Sequence, residues 1–128
     1  MIWVSFYKQS NYPVDSKLIK GKVIEVLKKN GLTSDYEVSL AIVGEKLMDK
    51  LVKKYFNDNA SHAVLSFPTS EIKGRFIFPP GSKNYLGEII ISFNQARDSA
   101  NKTNRRIDEI VSDLAIHGAM HLIGIHHD

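Results

Sequence analysis

Hydrophobic positions along the chain switch between two periods. Ile2, Val4 and Phe6 alternate with Trp3, Ser5 and Tyr7, the period-two signature of a strand. Asn11-Tyr12-Pro13 breaks it. Leu18, Ile19, Val23, Ile24 and Leu27 then recur at helical spacing. They predict a helix capped by Asp15 or Ser16, reaching Lys29, with Asn30-Gly31 as its stop. Tyr36 to Val43 reads as a second strand ended by Gly44. A second helix follows from Glu45 to Tyr55, with Leu47, Leu51 and Tyr55 on one stripe. After a turn at Asn57-Asp58-Asn59, Ala63 to Phe67 is a short strand closed by Pro68. Ile72 to Phe78 adds a further strand before Pro79-Pro80-Gly81. Leu86 to Ser92, the most apolar and β-branched run, has the character of a strand buried in mid-sheet. A helix from Asn94 to Ala100 precedes a longer one from Asn104 to Ile123, whose first turn is basic where acid is favoured. The interleaving predicts a single α+β domain over residues 1–128. It has a mixed sheet of four to five strands packed with helices, and the C-terminal helix bears the candidate chemistry.

Composition narrows the chemistry. A chain of 128 residues is long enough for one real core and short for two. No apolar run approaches the roughly 18 residues of a membrane span, and Met1 to Lys8 lacks the basic start and apolar stretch of a signal peptide. A cytoplasmic protein without a membrane partner is expected. The absence of cysteine excludes disulfides, thiolate ligands and cysteine nucleophiles, so histidine and carboxylate must do any metal chemistry. A net charge of +3 mildly favours acidic partners. Lysines such as Lys17, Lys20 and Lys28 by themselves describe only a solvated surface.

The last dozen residues carry the strongest pattern. His117 and His121 are four apart, one helical turn, with Cβ atoms about 5–6 Å from each other. Gly124 can end the helix in the left-handed conformation and let His127 return to the same ion. Three neutral imidazoles with a fourth position open to water make a catalytic zinc site. At about 100° per residue, Ile107, Ile110, Leu114 and His121 share an apolar stripe with His117 at its edge. Two imidazoles directed to the core side need partners for their ring nitrogens, and one Zn2+ per chain satisfies both. The spacing has the rhythm of the metzincin proteases, whose general base is a glutamate directly after the first histidine. Here that position is Gly118, and the protease reading loses its base.

The segment from His117 to His127 also resembles the His-Gly-x-x-His-Leu-x-Gly-Tyr-Asp-His signature of the YbeY family. Leu51 to Phe67, with Tyr55 and Val64-Leu65-Ser66-Phe67, is similar to that family's Leu-Asn-x-x-Tyr-Arg…Thr-Asp-Val-Leu-Ser-Phe block. Leu86 to Ser92 is similar to its Leu-Gly-Asp-Ile-Val-Ile block. The resemblance implies that His117, His121 and His127 are zinc ligands. It also implies an endoribonuclease acting on single-stranded RNA in rRNA maturation, with RNA and ribosomal components as partners.

The chain departs from the pattern at Phe56, where the family has an arginine, at His62-Ala63, where it has Thr-Asp or Thr-Asn, and at His126, where it has aspartate. A phenylalanine cannot hold a phosphate. Asp113, one turn before His117, is a candidate for orienting an imidazole. His62 is a candidate replacement for lost cleft chemistry, and His126 a competitor for metal. Ser66 and Phe67 are expected to close their strand against the metal helix, with Phe67 an alternative stacking face for a base. No residue is assigned as the catalytic base. Two other readings stand beside the nuclease: a non-catalytic, metal-stabilised RNA- or ribosome-binding module, and a zinc hydrolase of another substrate. The departures predict weak cleavage of single-stranded RNA, strengthened by Phe56→Arg. A guanidinium that tightens on the transition state contributes on the order of 2.7–4 kcal/mol, as other preorganised donors do. Cleavage rates with added zinc measure this; strong wild-type cleavage indifferent to Phe56→Arg would show that another group has taken over from the arginine.

Overall fold

The computed structural model describes residues 1–32, 35–57, 62–68 and 85–124. It is an α+β fold, built among these residues on a four-stranded mixed sheet: β1 (Ile2–Lys8), β2 (Tyr36–Val43), β3 (Val64–Pro68) and β4 (Tyr85–Ser92), in the order β1-β2-β4-β3. β1, β2 and β4 run parallel and β3 runs antiparallel at the edge. The helices are α1 (Ser16–Lys29), α2 (Glu45–Phe56), α3 (Phe93–Thr103) and α4 (Ile107–Leu122). The strand expected over Ile72 to Phe78 lies outside the described residues.

Leu86 to Ser92 does sit in mid-sheet. With both neighbours paired and both faces covered, Ile89, Ile90 and Ile91 all meet apolar surroundings, which is why these three are consecutive rather than alternating with polar residues, although the strand also buries Glu88 and Ser92. Ile89 and Ile91 enter a core with Val38, Leu40 and Ile42 of β2, Ile19, Val23 and Leu27 of α1, and Val111, Ala115 and Ala119 of α4. Ile90 faces the other way, against Ala41, Val43, Leu65, Phe67 and the α2 residues Met48, Leu51 and Val52. Thus α1, α3 and α4 cover one face and α2 the other.

Local chemistry sets the helix ends. Asp15 Oδ1 accepts from the Leu18 amide at 3.1 Å, the cap expected for α1, worth about 1 kcal/mol. The Asp15 amide donates to Asp108 Oδ1 at 2.8 Å, tying the start of α1 to the first turn of α4. The basic first turn expected for the last helix is corrected. Asn104 is the left-handed cap that ends α3, Arg106 caps α4, and the acids Asp108 and Glu109 occupy its first turn, in accord with the helix dipole.

Three burial expectations change. Leu18 is 42 % exposed, because Ile19, Val23 and Leu27 define the buried side of α1. On α2 the buried stripe is Met48, Leu51 and Val52, leaving Tyr55 exposed at the helix end. On α4 it is Ile110, Val111, Ala115, Gly118, Ala119 and Leu122, so Ile107, Leu114 and both histidines form its half-buried flank.

The small residues on α4 let it lie close to the sheet. A Cβ at Gly118 would meet Ile89 Cγ2 at 2.6 Å and Ser66 Oγ at 3.2 Å. Ile89 is β-branched and buried in mid-sheet, so it has little freedom to yield. Gly118→Ala should therefore destabilise the protein: overpacking costs about 1–3 kcal/mol, against up to about 1 kcal/mol gained in helix propensity. Gly118→Leu should cost more. Denaturant unfolding of both variants measures the loss, and a Gly118→Ala protein more stable than wild type would refute the close contact.

Candidate active site

His117 and His121 project from the flank of α4, with ring centroids 4.5 Å apart and planes inclined by 50°. They open onto a cavity of about 200 Å³ between α4, β3 and the end of α2. Its lining is Phe56, His62, Val64, Leu65, Ser66 and the two histidines. The histidines reach it because Gly118, between them in sequence, faces inward on Ile89 and Ser66 and seats the helix. Ser66 Oγ donates to the Gly118 carbonyl oxygen at 3.3 Å, fixing β3 to α4 at the level of the imidazoles.

Beyond His121 the helix ends as its sequence predicts. The Gly124 amide donates to the His121 carbonyl at 3.1 Å, and Gly124 has φ +86°, a left-handed turn that glycine adopts without strain. His126 and His127 lie outside the described residues. Among the described residues no group of three metal-ligating side chains is gathered. The histidine pair supplies two candidate ligands.

The other candidates separate. His62 lines the histidine cavity, half-buried, its ring 6.0 Å from that of Phe56 at an interplanar angle of 21°. Asp113 is placed elsewhere: its Oδ2 accepts from Arg105 Nη2 at 2.8 Å, beside a second cavity shared with Leu18 and Lys22. That hydrogen bond, with the charges of Asp113 and Glu109, raises the Arg105 pKa above its ordinary value. Asp113 is thus committed to a guanidinium rather than to the histidine cavity. Phe67 is 4 % exposed and packs against α2 rather than α4, because alternation along β3 turns Ser66 to the histidine helix and Leu65 and Phe67 to the opposite face. It therefore offers no free face to a base. Phe56, noted in the sequence only as a departure, is the aromatic residue that lines the cavity and is 49 % exposed.

The model of the endoribonuclease YbeY family matches residues 6–128, spanning every element of the site. The chain belongs to the YbeY family. It is 32 % identical over 124 residues to endoribonuclease YbeY of Alkaliphilus metalliredigens, covering 94 % of this chain and 78 % of that one. It is likewise 32 % identical over 127 residues to that of Moorella thermoacetica, covering 94 % and 81 %. The solution structure of TM1509 from Thermotoga maritima shares its fold, with a TM-score of 0.60 and 23 % identity over 98 % of this chain and 75 % of that one. Among the described residues of this YbeY chain, no helix is long and apolar enough to cross a membrane.

The Ser66 bond is a part-buried contact between a hydroxyl and a carbonyl. Ser66→Ala should cost about 0.5–1.5 kcal/mol, read as a lowered denaturation midpoint with an unchanged denaturant slope. An unaltered midpoint would show that the bond does not hold β3 to α4.

Proposed function

We propose that this YbeY chain is a zinc-dependent endoribonuclease that cleaves single-stranded RNA during rRNA maturation, working in the cytoplasm with ribosomal components. Family membership supports nuclease chemistry on RNA. The observation that carries the reading is the pair of adjacent half-buried imidazoles opening on one cavity.

The donor set fits zinc. His117 and His121 offer nitrogen ligands on one helical turn, and imidazole suits Zn2+ well. His127 is the third ligand in this reading. When bound, zinc supplies Lewis acidity toward a phosphoryl oxygen and makes water more acidic.

The chain's own residues do the rest. A cavity of about 200 Å³ is smaller than the roughly 300–1,000 Å³ of ordinary ligand pockets. It suits a phosphodiester group with its flanking bases held outside. Apolar Val64 and Leu65 limit water at one wall, while Ser66, by holding the Gly118 carbonyl, keeps both imidazoles at a fixed height over β3. His62 is a further polar group of the lining, and this reading assigns it to the RNA. Phe56 favours a second reading, a metal-stabilised RNA-binding module without turnover, because it places an apolar ring in the cavity lining at the position where the family pattern has an arginine.

Purified protein should hold close to one zinc per chain by elemental analysis, and His121→Ala should lose it. His117→Ala should abolish zinc-dependent cleavage of single-stranded RNA. At a free zinc concentration 100 times the dissociation constant, binding adds about 2.7 kcal/mol to stability. A chelator should therefore lower the melting temperature. Full zinc affinity in both histidine variants would remove the site; zinc binding without wild-type cleavage would favour the module.

A further inference from the structure

We propose that Phe56 is a nucleobase-stacking platform, holding a base of single-stranded RNA next to the histidine cavity while the lysines of α2 hold the adjoining phosphates. The inference rests on the reading of that cavity as an RNA cleavage site.

Three observations carry it. Phe56 is a large aromatic residue left 49 % exposed at the C-terminal end of α2, and it lines the cavity with His117 and His121. Its ring is also held in place. His62 lies nearly parallel to it at 6.0 Å, and the buried Phe67 supports it at 6.0 Å and 37°. A ring fixed by two others presents its remaining surface with little conformational entropy to lose. Finally, Lys46, Lys50 and Lys53 recur at four- and three-residue spacing along α2, forming one exposed stripe that ends beside Phe56. Lys54 follows, its Nζ 5.2 Å from the Tyr55 ring centre. These four cations outnumber Glu45 and Asp49 on the same helix. A positive track leading to an aromatic face is how single strands are bound without sequence readout. A small cavity that admits a phosphodiester needs such a platform outside it, because the bases must go somewhere.

The test measures affinity for a fluorescein-labelled 2′-O-methyl RNA octamer by anisotropy, using full-length zinc-loaded protein, with the octamer's integrity checked on gels. A second set of octamers carries one abasic residue at each position in turn. Wild type should lose about 5- to 100-fold in affinity at one or two abasic positions. Phe56→Leu should bind the intact octamer more weakly by the same factor and be indifferent to those abasic positions. Its salt dependence should match wild type, since no charge is removed. Phe56→Tyr, which keeps the ring, should behave as wild type. Lys50→Ala and Lys53→Ala should flatten the salt dependence while preserving the abasic penalty. Leucine separates the readings better than arginine, whose planar guanidinium also stacks. Wild-type affinity in Phe56→Leu would overturn the platform and leave the cleavage reading standing. So would indifference of wild type to every abasic position, a result independent of how any variant folds. No binding of the octamer by wild type would overturn both.

Discussion

The close approach of α4 to the sheet at Gly118 is the contact on which the site depends. With no side chain at this position, the helix settles onto Ile89 and Ser66, where a methyl group would already be 2.6 Å from Ile89 Cγ2. Packing interiors are dense and respond to single methylenes, so the height of α4 over β3 is fixed from beneath. His117 and His121, on the flank of the same helix, inherit that height and share one cavity wall. The same contact explains why a metzincin-like histidine spacing does not carry a metzincin glutamate. The position after the first histidine faces the core, where a carboxylate has neither room nor water.

Sheet geometry divides labour at the edge strand. Alternation along β3 sends Ser66 to α4 and Phe67 to α2. One strand therefore anchors the histidine helix with a hydrogen bond and supports the aromatic end of α2 with a buried ring. The cavity lies where these two helices meet the strand, and its walls differ in chemistry: imidazoles from α4, aromatic and apolar groups from α2 and β3.

Much was legible in the sequence because periodicity and punctuation are local. Period two in Ile2 to Tyr7, the unbroken apolar run through Ile89, Ile90 and Ile91, the Asp15 cap and the left-handed Gly124 all express forces acting within a few residues. The four-residue spacing of His117 and His121 likewise fixed their adjacency, since a helix has no other place to put them. Local reading failed where two rules competed. The run Asn104-Arg105-Arg106 could extend either helix, and Asn104 ended α3 instead.

What tertiary structure decided was which flank of each element faces a partner. Of the stripe through Ile107, Ile110, Leu114 and His121, a reasonable buried face for an isolated helix, only Ile110 is fully buried. The sheet instead selected Val111, Ala115, Gly118 and Ala119, since small residues allow the larger gain of close packing. Asp113 is one turn from His117 in sequence, yet its carboxylate is taken by Arg105, a residue eight positions away. Phe56 and His62 meet only because α2 ends above the start of β3. Sequence alone thus determined the elements and the histidine pair, which arise from bonds along the chain. The cavity and its aromatic wall arise from contacts between segments, which no spacing along the chain encodes.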